Sequence, residues 1–141
     1  MTAGLIPLSA EVIVKIPFHD VDAACVAWHG HYIKYFELAR CALLDKIDYN
    51  YMQMSASGYF WPVIDLQARY IQPVRFQQKI RVRATLKEWE NRLLISYLIE
   101  DLETSQRLTK GRTIQVAVRM DNGEMQLASP PVLMEKLDLA R

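Results

Sequence analysis

The sequence predicts an α+β fold in which one long helix is wrapped by a curved antiparallel sheet. Three observations carry that expectation. Residues 31–46 place apolar side chains at helical spacing, and they are the one long stretch that does so. Four later stretches alternate apolar and polar residues with period two. The order is one strand, one helix, then four strands in series, and a long helix with a single apolar stripe needs a sheet face to cover it.

The first strand is read over residues 11–17, where Val12, Val14 and Ile16 fall on one side. A loop follows over 18–30. In the helix, Tyr32, Phe36, Ala39 and Leu43 recur at i, i+4, i+7 and i+11, and Tyr35, Ala42 and Leu44 widen the stripe. At ~1.5 Å per residue the helix is about 24 Å long, enough to cross a small sheet. Lys46 near its end complements the helix dipole.

A polar, aromatic connection (DYNYMQMSASGYF) leads into the strands. Ile64, Leu66, Ala68 and Tyr70 share a face over 61–73, and Ile80, Val82, Ala84 and Leu86 share one over 79–89. Leu93, Ile95, Tyr97 and Ile99 do so over 91–100, and Ile114, Val116, Val118 and Met120 over 112–120. Such alternation marks half-buried antiparallel strands. Glu90-Asn91 and Asp121-Asn122-Gly123 read as turns. Pro130-Pro131 reads as the last irregular stretch before a short tail. Edge strands and a second, partly apolar sheet surface remain to be covered, so an oligomer is expected.

At 141 residues the chain has the length of one domain, 1–141, with no repeat and no low-complexity linker. Its hydrophobic fraction of 51% and charged fraction of 23% are those of a globular chain. Seventeen Lys and Arg against sixteen Asp and Glu give +1, so no global field attracts nucleic acid or a membrane surface. Basic residues are nevertheless dense between Arg69 and Arg92. That pattern suits a phosphate-bearing partner, although a solvated strand face looks the same. Cys25 and Cys41 form no C-x-x-C pair and no disulfide framework, which points to a reducing, cytoplasmic setting. The N-terminus has neither a basic n-region nor an apolar h-region, and no apolar run approaches a membrane span.

The loop carries the polar chemistry. In FHDVDAACVAWHGHYIKYFELAR (18–40), Asp20, Asp22, His29 and His31 are crowded among Ala, Cys, Val and Trp. Burying such groups costs free energy unless they are paired, so they either solve a local structural problem or do chemistry. His19, Asp20, Asp22, His29 and His31 have no tight metal-ligand spacing, and no metal is expected. The chain has no G-x-S-x-G elbow and no Gly-rich phosphate loop.

These residues resemble the signature of the 4-hydroxybenzoyl-CoA thioesterase family, the hotdog-fold acyl-CoA thioesterases. The matching positions are Phe18, Asp20, Asp22, Val26, Trp28-His29, Tyr32, Tyr35-Phe36-Glu37 and Ala39-Arg40, with YIQPVRF (70–76) as a second matching segment. The resemblance implies a hotdog fold and hydrolysis of an acyl- or aroyl-CoA thioester without a cofactor. It makes Asp22 the catalytic carboxylate, as nucleophile or as general base. Backbone N–H groups around His29 would polarise the thioester carbonyl, and His29 itself would orient substrate or water or else help cap the helix. Trp28, Tyr32 and Arg75 are the expected substrate-binding residues.

Asp20 is expected to structure the loop by bonding backbone amides, and Glu37 to support the active-site loop. A plain i,i+3 ion pair between Glu37 and Arg40 is the alternative for that acid. A homodimer or homotetramer with a shared site is implied. Alternatives are an acyl group borne on an acyl carrier protein and a non-catalytic acyl-thioester binding module. A hotdog dehydratase ranks low, because its His-Gly-Pro type of spacing is absent. The sequence departs from the family at Ala23-Ala24-Cys25, where a glycine-containing turn is usual. Glycine permits positive φ, so the loop is expected to differ in conformation or in what it admits. Nothing else in the chain resembles a cysteine enzyme, which argues against Cys25 as nucleophile.

Overall fold

The computed structural model describes residues 8–140. The expected absence of a leader rests partly on residues 1–7, which lie outside the described residues. β1 (Ser9–Lys15) leads through a short 3-10 turn (Phe18–Asp20) into the loop, and a second 3-10 turn (His29–His31) runs directly into α1 (Tyr32–Lys46). Then come α2 (Tyr51–Ala56), β2 (Tyr59–Phe60), β3 (Val63–Tyr70), β4 (Lys79–Glu88), β5 (Leu93–Asp101), β6 (Arg107–Gln115), β7 (Val118–Arg119) and α3 (Pro131–Ala140).

Five strands form one antiparallel sheet in the order β1-β4-β5-β6-β3, and β2 pairs with β7 beside it. Register shifts at Val63/Asp65, Leu86/Glu88 and Ile99/Glu100 interrupt the ladders. Bulges of this kind bend strands and increase twist, which lets the sheet curve around a helix. α1 supplies Tyr32, Tyr35, Phe36, Ala39, Leu43 and Leu44 to the core, and the sheet supplies Ile80, Val82, Ala84, Leu86, Leu93, Ile95 and Ile99. Those α1 positions carry the expected stripe, and β4 and β5 bury the faces read from their alternation. α1 stops where Asp48 takes φ +57°, a left-handed residue just past the last turn.

α1 reaches β6 through the Phe36 side chain, which lies over Gly111. A Cβ there would lie 2.5 Å from Phe36 Cε2 and Cζ and 2.8 Å from the Gln67 carbonyl oxygen. The Phe36 ring occupies that space and stacks on Tyr97 at 4.6 Å between centroids.

The structure corrects four local expectations. The connection after α1 contains α2, opened by a capping box in which Asn50 and Gln53 bond each other's backbone N–H groups. The strand expected over 112–120 is instead β6, which begins at Arg107 and ends at Gln115, followed by the two-residue β7; residues 113–118 are all buried rather than alternating, with Met120 exposed. There the chain leaves the sheet at Gln115 and is covered from more than one side, so the period-two pattern loses its meaning. β3 is the sheet edge, and Ile64 and Tyr70 are exposed despite their alternation. Pro131 does not begin a tail but opens α3, where a missing N–H costs nothing, and Leu133 and Leu137 anchor that helix at i, i+4.

Candidate active site

Two pieces of chain meet at the start of α1. The first is a tight loop. Val21 bridges Ala27, the Asp22 N–H donates to the Val26 carbonyl at 2.9 Å, and the Cys25 N–H donates back to the Asp22 carbonyl at 2.9 Å. Asp22 Oδ1 accepts the Ala24 N–H at 2.8 Å, so half of the carboxylate holds the turn. Cys25 adopts φ +59°, the left-handed conformation that the usual glycine makes easy. The Ala-Ala-Cys loop thus keeps a positive-φ tip at the expense of backbone strain. Cys25→Gly is expected to stabilise the protein by about 0.5–1 kcal/mol, since relief of the left-handed strain is partly offset by unfolded-state entropy. Urea denaturation of the two proteins measures it.

The loop is stitched to the segment after β3. Val26 bridges Arg75, Ala27 N–H donates to the Val74 carbonyl at 2.7 Å, and Phe76 N–H donates to the Cys25 carbonyl at 3.1 Å. Arg75 therefore reaches the loop through its main chain, and its side chain is not part of the cleft lining.

The second piece is the helix start. Neither the His29–His31 turn nor α1 has a side-chain cap, and no acid sits in either first turn. The first N–H groups of such a run have no intrahelical acceptor and carry positive partial charge. They open beside a cleft of about 350 Å³ lined by Asp22, Val26, Ala27, His29, Tyr32 and the segment Tyr70-Ile71-Gln72-Pro73. Tyr70 donates to the His29 carbonyl at 2.8 Å, and its ring meets Tyr32 edge-on at 4.7 Å. The Tyr32 hydroxyl accepts the Val74 N–H at 3.2 Å, and burial raises its pKa.

Of the expected residues, Asp22, His29 and Tyr32 line this one cleft. Trp28 lies outside it, half-exposed, with its indole 5.0 Å from the His29 ring and 5.4 Å from the His31 ring. Glu37 is exposed on α1 and makes no hydrogen bond or ion pair among the described residues. Its expected ion-pair partner Arg40 is instead buried, donating to the Tyr51 hydroxyl at 2.7 Å and lying 3.5 Å from the Tyr97 hydroxyl. Burial alone would lower the Arg40 pKa, but the surrounding phenol oxygens outweigh it and raise it.

Asp20 also differs from expectation. Its carboxylate bonds side chains rather than backbone amides, accepting from Lys34 Nζ at 2.6 Å and from the Tyr35 hydroxyl at 2.8 Å. Its main-chain carbonyl accepts the Trp28 N–H. The buried carboxylate thereby ties the loop to the first turns of α1. Desolvation pushes its pKa up, yet the bonds from Lys34 and Tyr35 win and hold it below its ordinary 3.8. The same contact, added to burial, drives the Tyr35 phenol well above its ordinary value.

A carboxyl with a depressed folded pKa stabilises the fold above its unfolded value and loses that contribution as pH falls through the folded one. Asp20→Asn is therefore expected to cost about 1–3 kcal/mol at neutral pH. The gap from wild type should narrow below about pH 4. Denaturation curves across that range check both points.

Tyr70, Lys34 and Tyr35 were missed as site residues. For Tyr70 the usable signal was its position on the helix-facing side of β3 beside Pro73. Among the described residues, no group of three or more His, Cys, Asp or Glu side chains is placed to hold a metal.

One long helix in a curved antiparallel sheet is the hotdog architecture. The DHNA-CoA thioesterase from Staphylococcus aureus superposes with a TM-score of 0.82, covering 93% of this chain and 89% of its own at 22% identity. The 1,4-dihydroxy-2-naphthoyl-CoA thioesterase from Synechocystis does so at 0.81, covering 94% of each chain at 16% identity. The chain belongs to the thioesterase-like superfamily, whose profile matches residues 16–137. In sequence it is 28% identical over 134 residues to a candidate esterase of Synechocystis sp., covering 90% of this chain and 77% of that one. This kinship supports a hydrolase of thioesters. Among the described residues, no helix is long and apolar enough to cross a membrane.

Proposed function

We propose that this protein hydrolyses an acyl or aroyl thioester to a free acid and a thiol, the thiol being CoA or the phosphopantetheine arm of a carrier protein. Within the superfamily, its loop and helix motif favours the 4-hydroxybenzoyl-CoA thioesterase type. The observation that carries the reading is the shared cleft of Asp22 and the uncapped helix start. In this mechanism the thioester carbonyl oxygen points at the N–H groups opening the helix around His29. They stabilise the negative charge that develops on that oxygen when the carbonyl is attacked. The Asp22 oxygen not committed to Ala24 either attacks the carbonyl carbon or takes a proton from the attacking water. His29 orients the substrate or water, and Tyr32 and Tyr70 form an aromatic wall for the acyl group.

Active protein is proposed to be a homodimer, or a pair of dimers, with the cleft completed by a second subunit. Support comes from β3 as a sheet edge and from the exposed apolar residues beside it, Phe60, Ile64 and Met120. Light scattering is expected to give at least twice the 16.4 kDa chain mass. A monomer would remove the shared site. The test of function is thiol release from benzoyl-, 4-hydroxybenzoyl-, short- and long-chain acyl-CoA. Turnover of at least one supports the reading. No release from any thioester would leave a binding module.

A further inference from the structure

The outer face of the sheet, opposite α1, carries a block of cations that the chemistry of the cleft does not use. Strand register sets them in rows. Arg83, Leu98, Lys110 and Arg69 lie directly across from one another on β4, β5, β6 and β3, and Thr85, Ser96, Arg112 and Gln67 form the next row. Arg107 borders the first row, beside Glu100. On the β1 side the charges are answered, Arg83 by Glu11 at 3.0 Å and Arg81 by Glu100 at 3.5 Å. On the β3–β6 side, Arg69, Arg107, Lys110 and Arg112 are exposed and make no ion pair among the described residues. Lys110 and Arg69 face each other across the ladder, a like-charge pair that a sheet ordinarily avoids. A chain with a net charge of only +1 has therefore concentrated positive charge here.

We propose that this face docks an acidic protein domain, and that this domain is the carrier of the thioester. The proposal rests on the hydrolase reading above and names a partner for it. Three features favour a protein over a small phosphate ligand. The face is broad and shallow, with two adjoining hollows floored by Ser96 and rimmed by Arg83, Arg107 and Lys110 on one side and by Arg69, Lys110 and Arg112 on the other. Backbone N–H groups that cradle phosphates elsewhere are consumed here by the sheet ladders on both sides of β5 and β6. The cations stand ~5 Å apart across strands and ~7 Å apart along them, comparable to the ~5–6 Å between acidic side chains on a helix face. A second copy of this chain would bring cations onto cations. The face meets the cleft only around the β3 edge: Arg69 points outward, while its neighbour Tyr70 points to the helix side, against Tyr32, and lines the cleft.

The experiment presents one acyl group on three thiols: an acidic phosphopantetheinylated carrier protein, CoA, and N-acetylcysteamine. The enzymes are wild type, Lys110→Gln and Lys110→Glu/Arg112→Glu. The double variant is expected to lose about tenfold or more in kcat/KM on the carrier-protein thioester, mainly through KM, with N-acetylcysteamine turnover unchanged. Wild-type kcat/KM on that substrate should also fall steeply between about 50 and 200 mM salt, a readout that needs no variant to fold. Equal rates on the carrier thioester for all three enzymes would overturn the proposal. A loss confined to the CoA thioester would do so too, making the face a nucleotide-phosphate site. If no enzyme hydrolyses any of the three thioesters, the hydrolase reading fails. Docking is then decided by the anisotropy of labelled carrier protein, which must weaken in the double variant.

Discussion

Asp22→Asn is expected to reduce thiol release by about 10²–10⁴-fold, the range by which a positioned acid or base accelerates proton transfer. A larger loss would fit a nucleophile, because removing it closes the covalent route altogether. The substitution suits the question because the turn should survive it. Asp22 Oδ1 accepts the Ala24 N–H, and an asparagine carbonyl can accept the same bond. The side chain is exposed, so denaturant stability should stay within about 0.5 kcal/mol of wild type. Thiol release followed beside a urea titration separates lost chemistry from lost fold. A folded variant with undiminished turnover would mean a thioesterase whose reactive group lies elsewhere.

The largest effect on stability is expected at Gly111. Alanine there places a methyl group 2.5 Å from Phe36 and 2.8 Å from the Gln67 carbonyl oxygen, and valine adds two more carbons in the same space. The backbone oxygen cannot move without disturbing the β3–β6 ladder, and the Phe36 ring is trapped between the helix and Tyr97. Overpacking of a well-filled core costs about 1–3 kcal/mol, and Gly111→Val belongs at or above the upper end. Thermal unfolding should shift down by roughly 6–12 °C for a domain of this size. A shift within error would mean that α1 can lift off the sheet more easily than its packing suggests.

The strands of the sheet interior were the most legible part of the fold. Ile80, Val82, Ala84 and Leu86, and Leu93, Ile95, Tyr97 and Ile99, each face one core, so period two survives intact. Legibility failed where a segment is covered on several sides or anchored by only two residues. Residues 113–118 are buried throughout, and α3 rests on Leu133 and Leu137 behind a proline that usually signals an ending. In the candidate site, Asp22, His29 and Tyr32 could be found because they lie within eleven consecutive residues. Tyr70 comes to the same cleft from 38 positions beyond Tyr32; it opens the YIQPVRF segment, but only the fold brings that segment to the helix start. Asp20 was read as a loop-structuring acid, but its partners Lys34 and Tyr35 were assigned to the helix alone.

By itself, then, the sequence determined the α+β class, the long helix, the interior strands and the loop in which Asp22 precedes the helix start. These follow from periodicity and short-range spacing, which depend on neighbours within a few residues. The tertiary structure alone decided that Gly111 lies beneath Phe36 and that Arg40 is buried among phenols. It alone set Asp20 between a lysine and a tyrosine, and gathered Arg69, Lys110 and Arg112 on one face. Each of these depends on which strands are adjacent and in what register, and sheet pairing is a relation between residues far apart in the chain.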